Sequence, residues 1–159
     1  MILVLLGTQK NNFNRLLEAI QFNIDNGVIQ EEVIVQAGCT TYNSENMKIF
    51  SLIPMNELET LIEKARIIIT HGGVGSIVGA LKKGKKVIAM PRLSKYHEHV
   101  NDHQLEITSI FSENKYILVA NDKYELQQAL NSIEDFKPEK YQSNTNSIIK
   151  IIQDFIDNN

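Results

Sequence analysis

Apolar residues fall into two alternating kinds of segment along the chain. Ile2–Leu6 is apolar at every position, which predicts a strand covered on both faces. Phe13, Leu16, Leu17 and Ile20 then recur at helical spacing. The pattern repeats. Val33-Ile34-Val35 predicts a second strand ending at Gly38, and Lys48–Ile53 a short third. Leu58, Leu61 and Ile62 mark a helix over Met55–Ala65, and Ile67-Ile68-Ile69 a β-branched fourth strand. A helix continues through Ile77–Leu81, and Lys86–Met90 is a fifth strand stopped by Pro91. His99–Phe111 reads as a helix, Lys115–Val119 as the last strand and Tyr124–Ile133 as a helix. Ile148, Ile149, Ile152, Phe155 and Ile156 give residues 143–157 the pattern of an amphipathic helix, a candidate docking element for a partner.

Strands alternating with helices imply an α/β fold, a Rossmann-like doubly wound parallel sheet with helices on both faces. Such sheets take ligands beyond the carboxyl ends of their strands, at the point where strand order reverses. Four loops follow predicted strands: Gly7-Thr8, Gly38, His71–Ser76 and Pro91–Asn101. All four are expected on one rim.

The chemistry of those loops is uneven. Gly72, Gly73 and Gly75 place three glycines within four residues at the start of a helix. Backbone N–H groups there have no intrahelical partner, and the helix dipole adds positive charge. A phosphate suits such a terminus, with Ser76 as a further donor. A tight strand-to-helix turn would also ask for glycine. The spacing is neither G-x-G-x-x-G nor a P-loop, and the missing dinucleotide fingerprint argues against a dehydrogenase-like domain. Gly7-Thr8-Gln9 offers a second anion or sugar contact, or an ordinary turn with Asn11 or Asn12 capping the helix. Glu98-His99-Val100-Asn101-Asp102-His103-Gln104 is dense in polar groups. His99 and His103 would share a helix face as metal ligands do, but Val100 stands where a zinc-protease motif needs glutamate. Recognition of sugar hydroxyls by Asp102, Gln104 and Glu106 fits the residue types better, and no metal site is expected. The Lys82-Lys83-Gly84-Lys85-Lys86 run reads as a solvated loop with a glycine cap.

Composition narrows the class. The 159 residues suit one domain, and the net charge of −3 does not suit a nucleic-acid binder. The single cysteine, Cys39, fits a reducing compartment. The apolar start ends at Gly7, too short for a signal peptide or membrane span. A cytoplasmic location is expected.

The segments "LLGTQ", "ARIIITHGGVGSIVGALKKGKKVIAMPR" and "NDHQLEI" together resemble the glycosyltransferase family 28 C-terminal domain, over about Met1–Ile133. Arg66 and Lys86 depart from the family pattern, where an acidic residue and a proline are frequent. The resemblance implies the donor-binding half of a GT-B glycosyltransferase. It implies transfer of a hexose from a UDP-sugar, with inversion, to a lipid-linked saccharide, as in capsule or exopolysaccharide synthesis. It further implies a membrane-anchored partner that binds the acceptor and supplies the general base, and a peripheral place at the inner membrane face through that partner. No metal or other cofactor is implied for donor binding. Carried over to this chain, the substrate-binding residues are Thr8, His71, Gly72, Gly73, Gly75, Ser76, Glu98, Asn101, Asp102, His103 and Gln104. The glycines and Ser76 fall near the diphosphate and donor sugar, Thr8 lines the cleft, Asp102, His103 and Gln104 meet the sugar, and Glu98 reaches for the ribose. The alternative is a non-catalytic subunit that stabilises a partner transferase.

Overall fold

The computed structural model describes residues 1–141. The amphipathic segment at 143–157 lies outside the described residues. Among those described, six parallel strands form one sheet in the order β3-β2-β1-β4-β5-β6. They are β1 (Ile2–Leu5), β2 (Val33–Gln36), β3 (Met47–Phe50), β4 (Ile67–Thr70), β5 (Lys86–Ala89) and β6 (Leu118–Val119). The helices are α1 (Asn14–Asp25), α2 (Met55–Lys64), α3 (Val74–Lys82), α4 (His103–Glu113) and α5 (Lys123–Ser132), with a short 3-10 turn at Ser94–Tyr96.

Alternation along each strand builds two cores. Ile2, Val4, Val33, Val35, Ile67, Ile69 and Ile88 point to the face covered by α1 and α5. Leu3, Leu5, Ile34, Ile68, Val87 and Ala89 point to the other, under α2, α3 and α4. Both faces are therefore apolar, and the inner strands carry no polar alternation, while edge strand β3 exposes Lys48 and Phe50. The doubly wound reading of the sequence holds.

Several boundaries moved, each for a local reason. The third strand stops at Phe50 rather than Ile53, because the Ile53 N–H turns to the Gln36 side-chain oxygen at 3.0 Å. The last strand begins at Leu118 rather than Lys115. Lys115 has φ +56°, and Tyr116 N–H donates to Phe111 C=O at 3.0 Å, so both residues close α4. The fourth helix starts at His103, not His99; residues 97–102 form a polar loop instead. Neither Asn11 nor Asn12 caps α1. Phe13 holds that position with no side-chain cap, and Asn11 Nδ2 donates to His97 C=O across the rim. The basic run is anchored more than expected. Lys85 donates to the Glu63 and Ala65 carbonyls and Lys86 to those of Ile133 and Glu134, around a left-handed Gly84.

Candidate functional site

Strand order reverses between β1 and β4. Loops leave these neighbours toward opposite faces, so a crevice opens beyond their carboxyl ends. The loop after β1 carries Gly7 and Thr8, and the loop after β4 carries His71, Gly72 and Gly73. The glycine motif therefore stands at the switch point.

Close packing of these loops explains part of the glycine content. A Cβ on Gly38 would lie 2.2 Å from the Gly7 carbonyl oxygen, and Gly38 itself has φ +61°. Gly7 and Gly73 both lie against the His71 ring; a Cβ on Gly73 would approach Nε2 to 2.4 Å. His71 is buried and serves as the wedge between the two loops. Its Nδ1 is 3.1 Å from the Leu5 carbonyl, which fixes that nitrogen as the donor and leaves Nε2 a lone pair. Burial holds its proton affinity below the ordinary imidazole value, against the opposing effect of the Leu5 carbonyl. His71 is thus a neutral ring shaping the crevice.

Gly75 differs from the crowded glycines Gly7, Gly38, Gly72 and Gly73. A Cβ there would meet nothing within 4 Å, and its backbone is helical. Packing gives no reason for that glycine. The first helical bond of α3 runs from Ile77 N–H to Gly73 C=O at 3.1 Å. The N–H groups of Val74, Gly75 and Ser76 are left without intrahelical acceptors, at the positive end of the helix. Thr8 is exposed on the facing loop and Ser76 is half-buried. Among the described residues neither hydroxyl is tied to a protein hydrogen-bond partner. This arrangement can receive an anionic group.

The polar segment on the far side divides into free and committed groups. Asn101, Asp102 and His103 are exposed at the start of α4. Ser94 N–H donates to Asp102 Oδ1 at 2.7 Å, holding that carboxyl below the usual aspartate range. Asn101 Oδ1 accepts from His103 N–H at 3.2 Å, and His103 Nδ1 is 3.2 Å from Glu106. Gln104 is buried, and its oxygen accepts from Arg92 N–H at 3.0 Å, leaving only its amide nitrogen for a ligand. Glu98 is largely committed. It is buried, and its carboxylate is held by the Arg15 guanidinium at 2.8 and 2.9 Å and by Leu93 N–H at 2.9 Å. Three of the four lone-pair positions of this carboxylate are taken within the protein, which leaves one on Oε1. His99 and His103 do not share a helix face, since His99 sits in the loop with Nε2 2.9 Å from Gln9. Among the described residues no cluster of His, Cys, Asp or Glu could hold a metal ion.

Two residues central to this rim escape sequence reasoning. Arg92 is fully buried, and Arg15 reaches from α1 to two loops, β5–α4 at Pro91 and Glu98 and β6–α5 at Asn121. The signal available for Arg92 is a charged residue directly after the apolar run Val87–Met90 and Pro91.

Comparison with known proteins agrees with this fold. The model of the glycosyltransferase family 28 C-terminal domain matches residues 1–158. The chain belongs to that family. A curated relative, the UDP-N-acetylglucosamine transferase subunit ALG13 of Candida albicans, is 26% identical over 112 residues, 70% of this chain and 36% of the relative. The chain thus spans about a third of that relative's length. Among solved structures, the NMR structure of ALG13 matches 95% of this chain and 93% of its own, at TM-score 0.57 and 18% identity. MurG of Acinetobacter baumannii matches 83% of this chain and 40% of its own, at TM-score 0.52 and 14% identity. The kitacinnamycin glycosyltransferase matches 82% and 34%, at TM-score 0.56 and 14% identity. At these identities the structures establish the fold, a Rossmann-like domain shared with glycosyltransferases. Among the described residues no helix is long and apolar enough to cross a membrane.

Proposed function

We propose that this family 28 domain binds the donor of a two-component inverting glycosyltransferase, which moves a hexose from a UDP-sugar to a lipid-linked saccharide in capsule or exopolysaccharide synthesis. The observation that carries the reading is Gly75. It is an exposed glycine in the first turn of α3, at the switch point, with no packing reason to lack a side chain. A diphosphate seated on the Val74–Ser76 amides gives it one.

In this reading the α3 N-terminus stabilises charge developing on the departing UDP, without a metal. Thr8 and Ser76 donate hydroxyls to phosphate or sugar oxygens, and His71 holds the loops apart. Asn101, Asp102, His103 and the Gln104 amide face the sugar hydroxyls. A membrane-anchored partner binds the acceptor and supplies the general base that takes its hydroxyl proton. The chain is then cytoplasmic and peripheral at the membrane through that partner. The word "subunit" in the name of the ALG13 relative supports a second component.

The test is turnover of a radiolabelled UDP-hexose with the chain alone and with its partner. Activity that appears only with both is expected. Full turnover by the isolated chain overturns the two-component reading. Calorimetric titration of the chain with UDP bears on the alternative, since a non-catalytic stabilising subunit need not bind UDP.

A further inference from the structure

Arg92 and Arg15 stand between the walls of the crevice, and neither is free to meet a ligand. Arg92 Nη2 donates to the Leu6 carbonyl at 2.8 Å, and Nη1 to those of Asn11 at 2.7 Å and Glu98 at 3.2 Å. Leu6 and Asn11 bracket the loop that carries Gly7 and Thr8. One planar group therefore holds both ends of that loop. Glu98, whose carbonyl Arg92 also holds, locks its carboxylate onto Arg15. Arg15 reaches on to the Pro91 carbonyl and the Asn121 carbonyl, each at 2.7 Å. The Phe13 ring lies against both guanidiniums, at 4.8 Å from Arg92 and 5.3 Å from Arg15, with Tyr96 at 5.1 Å from Arg15.

We propose that Arg92, Glu98 and Arg15 form a clamp that fixes the separation of the β1–α1 and β5–α4 loops before the donor arrives, making Arg92 a positioning residue for donor binding. The proposal rests on the reading of the crevice as a UDP-sugar site. Stability alone is a poor reason for the arrangement. A guanidinium taken out of water costs several kcal/mol unless every donor is matched. Arg92 Nε is buried and without a partner among the described residues. An apolar residue would fill the volume without that loss. What arginine adds is direction: a rigid fork aimed at carbonyls on two loops, which a lysine ammonium cannot reproduce. Through Leu6 the clamp sets Gly7, through Gly7 it sets the His71 ring, and His71 lies against Gly73. The wall that receives the diphosphate is positioned through this chain of contacts.

The experiment uses the full chain and the variants Arg92→Lys and Glu98→Gln, with Arg66→Ala as control. Arg66 pairs with Glu31 and Glu134, away from the crevice loops. Segment-resolved amide hydrogen exchange without ligand reads loop order, and calorimetry with UDP reads affinity. Faster exchange over residues 7–13 and 91–101 is expected in both clamp variants, with β1 and β4 protected as in the wild type. UDP affinity is expected to fall at least tenfold, while Arg66→Ala keeps both readouts unchanged. Should Arg92→Lys fail to fold, Glu98→Gln carries the test. Unchanged loop exchange overturns the proposal, as does faster exchange with UDP affinity within threefold of wild type. A wild-type chain that takes up no UDP overturns the crevice reading instead, an outcome the ligand-free exchange arm keeps separate.

Discussion

Replacing Gly75 by alanine should stabilise the protein and weaken its donor binding together. A Cβ at this position meets nothing within 4 Å, and the residue lies inside α3 with an exposed backbone. Alanine is favoured over glycine in a helix by about 0.5–1 kcal/mol, since it loses less freedom on folding. For a chain of this size that raises Tm by about 1–4 °C. The new methyl group would fill space next to the unpartnered amides of the first turn. Moving a diphosphate oxygen off one such amide removes a charge-assisted hydrogen bond of about 1.5–3 kcal/mol, roughly a ten- to hundredfold loss of affinity. Gly79→Ala is the internal control. It lies one turn further along α3, is exposed, and also meets nothing within 4 Å. It should gain similar stability and keep its affinity. Differential scanning calorimetry and titration with UDP measure the two effects on the same samples. A Gly75→Ala protein that melts higher and binds UDP as tightly as wild type would refute the reasoning, because no ligand would then need that space.

Other perturbations probe the rim and its supports. Gly38→Ala should cost roughly 2–4 kcal/mol in urea unfolding, because it forces a left-handed alanine against the Gly7 carbonyl. Asp122→Ala should cost about 1 kcal/mol, since the Asp122 carboxylate accepts from Tyr124 N–H and Glu125 N–H at the start of α5. His71 binds its proton less readily folded than unfolded, so its contribution to stability is fully present above the ordinary value of 6.5 and falls as pH drops through the folded value. Unfolding free energies at pH 7.5 and 5.5 should therefore differ less in His71→Gln than in the wild type. Chelation by EDTA should leave UDP affinity unchanged, as expected where backbone amides hold the diphosphate.

The fold was legible because its inner strands are buried on both sides. Ile2–Leu6 and Ile67–Ile69 are unbroken apolar runs, and such runs between helical patterns admit few architectures. Strand ends were less legible. At Ile53 and Tyr116 the apolar or aromatic pattern continues, but the backbone turns away to the Gln36 side chain or to the end of α4. The meeting of the glycine loops at the switch point was legible, and the roles of their residues toward a ligand are the proposal. The glycines, Thr8 and Asp102 stand out by residue type. Glu98 and Gln104 do too, yet their oxygens face Arg15, Leu93 and Arg92. Whether a carboxylate meets a ligand or an internal arginine depends on partners distant in sequence. Arg15 and Glu98 are separated by 83 residues, and no local pattern joins them.

The central claim is that UDP sits on the first turn of α3. A 15N-resolved NMR titration of the chain with UDP in EDTA tests it residue by residue. Saturable shifts at the amides of Gly72–Ser76 and Gly7–Thr8, with the Phe50–Leu61 region unmoved, are predicted. Shifts confined to other surfaces, or no shift at those amides as UDP is raised, would contradict it.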